Sequence, residues 1–436
     1  MKRLLIVLLA FALVAGLFTV AAAEDKLSLS GSMRVRAWDL ENYSDYDDNG
    51  AADELANWDQ RLRIGGALKA NDAVSAHFRL DFAEDSWGSD NWGGSRYNDS
   101  ELQVDRAYMQ IVQDLYTLKA GQLYQGAGQL IVYDNNTTGI TATIKTPVII
   151  DLHYAKLSEN GSNRDERFTA SEVADYDDHT THPPDLAANE VDVDYDAEDL
   201  DAYVLQGTFK ADTFSVGAFF AAIEDSTDAD LSASAFGLFG TVALGPINLL
   251  AEIDVFDGDA SPTQEYMGEQ LYLNAEWKMD ALIIGGDIYY AAGADTNGSE
   301  VQLPSLGRFY GGDWNDFQPA TYGAFMADYQ PTPGKIHDFT GDSAGVVGLS
   351  LYAKYMFMEK FTVWGQLAYL EPEEDNNTQY DDMTVVNLSA SWDFVDNASL
   401  AVLYSTTLVT TSSAGLIPAP KDDAATRLGA RMQIKF

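Results

Sequence analysis

The chain has 436 residues, no cysteine, and 26 lysines and arginines against 68 aspartates and glutamates, for a net charge of −42. That balance excludes a nucleic-acid binder, which needs a basic surface for phosphate, and the missing cysteine excludes disulfides and thiolate metal sites. No apolar run after residue 23 could form a membrane helix, so any bilayer must be crossed by strands.

Lys2 and Arg3 precede an apolar run from Leu4 to Val20, and Ala21-Ala22-Ala23 then meets Glu24-Asp25. This reads as a secretory signal over residues 1–23, with an uncleaved anchor as the alternative. The leader holds two of the basic residues and no acid, so the 413 residues from 24 to 436 carry a net charge of −44. That length suits one large barrel or two ordinary domains.

From residue 26 onward, apolar and polar side chains alternate in segments of about 9–13 residues, the length of a tilted strand that crosses the outer membrane. Successive strand side chains point to opposite faces. Leu29, Met33 and Val35 therefore share one face, and Arg34 and Arg36 the other. Arg61 and Arg63 oppose Leu62 and Ile64; after a tight Asn71-Asp72 turn, Arg79 opposes Phe78 and Leu80. Arg106 and Tyr108 alternate with Ala107 and Met109, and Lys119 lies on the polar face of the fifth segment. Two more segments flank Thr146-Pro147, and an acidic loop runs from Ser158 to Glu198. Asp201 then precedes Tyr203, Leu205 and Phe209, and Ala211-Asp212 turns the chain into Phe214, Val216, Ala218 and Phe220. Phe236 to Leu244 turns at Gly245-Pro246 into a strand bearing Glu252 and Asp254, and Glu276 and Asp287 follow on the next pair. After a second long loop, Ala294 to Asp342, the same rhythm resumes at Val347 and closes on Arg427, Arg431, Lys435 and a terminal Phe436.

The expected fold is all-β: an antiparallel transmembrane β-barrel of about 18 strands (16 to 18) over residues 24–436. Short periplasmic turns alternate with long, acidic extracellular loops. Closure brings the last strand beside the first. Arg34, Arg36, Arg61, Arg63, Arg79, Arg106, Tyr108, Lys119, Arg427, Arg431 and Lys435 then form one lumenal wall. Asp201, Glu252, Asp254, Glu276 and Asp287 form the facing one. This is either a solvated polar lining or a transverse field across a constriction. Trp38, Trp58, Trp277, Tyr369 and Trp392 lie near strand ends, where an interfacial girdle belongs.

A closing strand with a terminal Phe resembles the sorting signature of Gram-negative outer-membrane barrels, and Phe436 would be the residue their assembly machinery reads. Asp105-Arg106-Ala107-Tyr108, Lys119-Ala120-Gly121-Gln122 and the tract Gln122 to Asn136 resemble a strand-turn-strand region of general, phosphate-selective and alginate-export porins. The resemblance implies an inward third extracellular loop, here Gln125 to Thr138, with Leu130-Ile131-Val132 against the inner wall. A lysine run for phosphate is missing and Gln122 stands where Arg is usual, so no substrate carries over.

Asp45, Asp47, Asn49 and Asp53 occupy positions 1, 3, 5 and 9 of a Ca²⁺ loop with Gly50 at 6, although Ala56 replaces the bidentate Glu at 12. His179 and His182 with Asp175, Asp177 and Asp178 form a second candidate divalent site. Five scattered histidines give no Ser/His/Asp arrangement, so no enzyme is predicted. The function expected is passive diffusion of small hydrophilic solutes or ions across the outer membrane of a Gram-negative bacterium. The alternative is a barrel sleeve for an electron carrier or an adhesin. Membrane lipid, lipopolysaccharide, the assembly machinery and sister copies in a homotrimer are the partners that the porin resemblance implies.

Overall fold

The computed structural model describes residues 26–42, 54–86, 103–130, 132–158, 200–225, 232–261, 263–293, 300–302, 345–374, 380–411 and 424–436. The strands of the first half are β1 (Leu27–Glu41), β2 (Glu54–Lys69), β3 (Val74–Ser86), β4 (Gln103–Val112), β5 (Tyr116–Ala127), β6 (Tyr133–Lys145), β7 (Val148–Ser158), β8 (Leu200–Lys210) and β9 (Phe214–Asp225). The second half adds β10 (Ser232–Leu244), β11 (Ile247–Ser261), β12 (Gln264–Met279), β13 (Leu282–Ala291), β14 (Glu300–Gln302), β15 (Val346–Met358), β16 (Phe361–Glu371), β17 (Tyr380–Val395), β18 (Ala398–Thr411) and β19 (Ala425–Lys435). Each pairs antiparallel with its neighbours in chain order, except that β13 pairs with β15 and the short β14 lies parallel to the start of β12. β19 returns to β1, so the wall closes with 18 strands.

The two ends differ as the alternation predicts. At one end the links are tight. Asn71 caps its turn by accepting hydrogen bonds from the amides of Ala73 and Val74, and Asp280 and Asn397 adopt the positive φ that tight hairpins require. The links at the other end are longer, with one exception: only two residues separate β11 from β12. The leader (1–23), the Asp45–Asp53 and His179–His182 candidate sites and nearly all of the two longest loops lie outside the described residues.

Leu205, Val216, Phe220, Leu238, Ile253 and Leu367 all stand exposed on the outer face. So many unpartnered apolar side chains, on a wall without free edges, require hydrocarbon around the barrel. Trp58, Trp277, Tyr369 and Trp392 are on this face, but Trp38 is buried inside, because it shares the parity of Arg34 and Arg36. Near the long-loop end the outer face turns acidic, with Asp39, Glu41, Glu224, Asp257, Glu269 and Glu371 exposed.

Closure is completed by the last residue. Phe436 and Gly31 exchange both backbone hydrogen bonds, at 2.7 and 2.9 Å. The Phe436 ring also lies over Gly31, where a Cβ would come within 2.7 Å of it and 2.6 Å of the Arg63 carbonyl. Removing Phe436, or changing Gly31 to Val, should therefore lower the yield of closed barrel severalfold. Heat-modifiable gel mobility of outer-membrane fractions measures this, and wild-type amounts of the compact band would remove Phe436 from the seam.

Candidate functional site

The lumen is shaped by the β5–β6 hairpin. β5 pairs with β4 only as far as Gln122. At the point of departure Gly121 has φ +129°, a conformation that side chains with a Cβ rarely adopt. The Gln122 amide then stands in for the missing ladder, donating to the carbonyls of Val104 and Asp105 at 2.7 and 3.2 Å. Beyond it β5 and β6 continue as a two-stranded ribbon: Gln125 donates to the Tyr154 carbonyl at 3.0 Å and accepts from the Tyr133 hydroxyl at 3.0 Å.

This ribbon lies inside the barrel. Ala127, Val132 and Tyr133 are buried against Ala155 of β7, Ala202 and Val204 of β8, Phe219 and Ala221 of β9, Ala235 and Phe239 of β10 and Phe256 of β11. Small side chains on the inner wall leave room for it. At the tip, the Gly128 amide donates to Gln206 on β8 at 2.8 Å and the Gln129 amide donates to Glu252 on β11. Gly128 has φ +59°, and a Cβ there would collide with the Glu252 carboxylate. The expected inward segment, Gln125 to Thr138, is thus mostly regular strand rather than loop.

The predicted acidic wall separates into four environments. Glu252 and Asp254 are 0 % and 1 % exposed, so neither lines open water: Glu252 holds the ribbon tip, and Asp254 accepts from Gln270 at 2.8 Å. Asp287 accepts from Tyr272, Asn274 and Ser350, each at 2.7 Å, and that row continues through Gln366 to Asn387. Glu276 faces the lumen beside Lys278 at 3.3 Å. Asp201 differs from expectation. It has the parity of Tyr203, Leu205 and Phe209, and pairs on the outer face with Lys156 at 3.3 Å and with the Tyr154 hydroxyl at 3.1 Å.

On the other wall, the arginines come with aspartates that the sequence reading passed over. Arg36 donates to Asp59 at 2.9 and 3.1 Å, and Trp38 donates to the same carboxylate at 2.7 Å. Arg63 grips Asp81 through two bonds of 2.7 and 2.5 Å, and Arg79 pairs with Asp105. Arg106 lies 3.7 Å from Asp105, donates to Asn136 at 3.0 Å, and packs its guanidinium 5.1 Å from the Tyr124 ring centre on the free side of the ribbon. Arg34, Arg427 and Arg431 share this wall: Arg36 is the direct cross-strand neighbour of Arg431, and Arg34 of Arg61. Towards the tight-turn end Tyr108 stacks on His77 at 4.9 Å, with the Lys119 ammonium 5.8 Å from its ring centre. The lumen therefore runs between a basic wall and a ribbon fixed to the far side.

The sequence profile described as Gram-negative porin matches residues 8–311. The chain belongs to the Gram-negative porin family. No curated protein matches it. Among solved structures, this porin is similar to a BenF-like porin from Pseudomonas fluorescens Pf-5, with a TM-score of 0.57 and 10 % identity over 95 % of this chain and 99 % of that one. OccAB4 from Acinetobacter baumannii gives 0.57 and 12 % over 94 % and 98 %; OccK9 (OpdG) from Pseudomonas aeruginosa gives 0.56 and 13 % over the same shares. Identities this low speak for the fold alone. As a porin, the protein is a diffusion channel for small solutes in the outer membrane.

Which force positions the ribbon can be judged by size. Burying side chains such as Val132 and Tyr133 contributes about 1.5–3 kcal/mol each, whereas one tip hydrogen bond adds only about 0.5–1.5 kcal/mol, or 1.5–3 to a charged group. Packing keeps the ribbon inside, and Gln206 and Glu252 fix where its tip stops. Glu252→Ala should thus raise open-channel noise and conductance modestly, while Glu252→Gln, which keeps an acceptor for the Gln129 amide, should stay near wild type. Tyr133→Asp should have the larger effect on conductance. Single-channel recording ranks the three, and a Glu252→Ala channel as quiet as wild type would deny the carboxylate its positioning role.

Proposed function

We propose that this porin passes solutes through an aperture bounded by the free face of the β5–β6 ribbon, with Tyr124 and Asn136, and by the arginine wall. It acts without a catalytic step and without a cofactor. The observation that carries the reading is the ribbon tip held across the inner wall by Gln206 and Glu252. A sleeve for a partner protein needs a wide, unobstructed lumen, and an inward ribbon with its own apolar bed argues against that. Contact with lipopolysaccharide, recognition by the assembly machinery and homotrimer formation extend the same reading; they rest on the porin resemblance and, for assembly, on the terminal strand.

The charge layout supports a particular selectivity. Among the described side chains, arginines gather on the basic wall with Asp59, Asp81 and Asp105, while Glu252, Asp254, Glu276 and Asp287 stand on the facing one, so the two walls differ in sign. The outward acids at the long-loop end are screened beyond roughly 8 Å at physiological salt, while charges inside a narrow, partly dry lumen are screened much less. A weak cation preference at low salt should therefore give way to anion preference as salt rises. Changing Arg61, Arg63, Arg79 and Arg106 together to Gln does more than remove four charges, because it leaves Asp81 and Asp105 uncompensated. Reversal potentials in a salt gradient should swing firmly to cations; a potential that does not move would show that these arginines lie off the permeation path.

A further inference from the structure

Opposite the ribbon, towards the tight-turn end, the lumenal wall of β12 to β19 forms a recess of about 590 Å³. Its middle row is set by register: Lys278 is opposite Ile283, Ile283 opposite Lys354, Lys354 opposite Trp364, and Trp364 opposite Ser389. Lys354 and Ser389 are thus the cross-strand neighbours of Trp364, each one strand spacing of about 5 Å away along the sheet. Above the row, Tyr352 covers Gly285 and donates to Glu276 at 3.1 Å; Asp393 and Arg431 complete the rim.

Three features define what would bind here. Trp364 is only partly buried and lines the recess, so part of its ring borders that space. Its indole N–H and the Lys354 ammonium make no hydrogen bond among the described residues. Finally, the polar groups around it include both signs and several hydroxyls, with Glu276 already beside Lys278, so the recess has no strong demand for a charged ligand. A flat apolar platform edged by donors and acceptors matches a ring whose faces carry C–H groups and whose edge carries hydroxyls. We propose that this recess is a saccharide subsite of the channel, sized for one or two pyranose rings and centred on Trp364.

The inference rests on the open channel described above, and ionic current without added solute reports that part separately. In planar bilayers, maltose added to wild-type channels should produce concentration-dependent interruptions of the current, while a polyethylene glycol of similar size and diglycine should not. Trp364→Ala should weaken the maltose effect about tenfold without lowering the open-channel current. Trp364→Phe, which keeps a ring, should retain most of it and guards against a folding defect, as does heat-modifiable mobility of both variants. Interruptions by the glycol would mean simple obstruction, a response to diglycine alone would mean a dipolar-solute site, and a maltose effect unchanged in Trp364→Ala would remove the platform. Any of these overturns the assignment.

Discussion

A strand in hydrocarbon has no water to satisfy its amides and carbonyls, and each unsatisfied group there costs several kcal/mol. The pairing of β1 with β19, running from Ser32↔Lys435 to Glu41↔Thr426, is the contact that leaves this wall without an edge. Everything else inherits its geometry from that seam. Once the sheet is closed, parity alone decides that Val35 faces lipid and Arg36 faces the lumen. The chain need not specify a core in the usual sense, because its outer apolar face has the bilayer for a partner.

Inside, water and protein compete for the remaining surface. On β8 to β10 both faces are apolar: Val204 follows Tyr203, and Phe219 stands beside Phe220. A wet lumen would not keep such side chains, and the ribbon from β5 and β6 covers them. Aspartates answer the arginines in the same way on the other wall. The space left between the two is bounded by surfaces that have already found partners within the chain.

Most of the architecture could be read from the sequence, because alternation with a period of two and tight turns survive in a barrel whose outer face meets lipid everywhere. The strand ends at the long-loop side could not. β2 begins at Glu54 and β12 at Gln264, well before the apolar alternation starts, because above the bilayer the ladder persists on backbone pairing alone and no lipid selects the side chains. Asp201 and Trp38 were legible and misjudged: each has the parity of neighbours already assigned, Asp201 with Tyr203 and Trp38 with Arg36, and residue type wrongly outweighed position. Asp59 and Asp81 were visible on polar faces, but which arginine each would meet depends on register; Asp105 has the parity of Ala107 and Met109, and the register shift between Arg79 and Leu80 lets it meet Arg79. The burial of Glu252 depends on where a hairpin more than a hundred residues earlier comes to rest, and no local pattern holds that; the doubly apolar strands β8 to β10 were the one hint.

The arginine pairs also have an order in the chain. Arg36 on β1 meets Asp59 on β2, Arg63 on β2 meets Asp81 on β3, and Arg79 on β3 meets Asp105 on β4. Each cation finds its counter-charge on the strand that comes next. A sheet growing from its first strand would therefore carry at most one unanswered arginine of this series at its leading edge, and the next strand to dock would neutralise it. Charge compensation and strand addition advance together over these three pairings, so correct neighbour order among β1 to β4 is rewarded before the barrel closes.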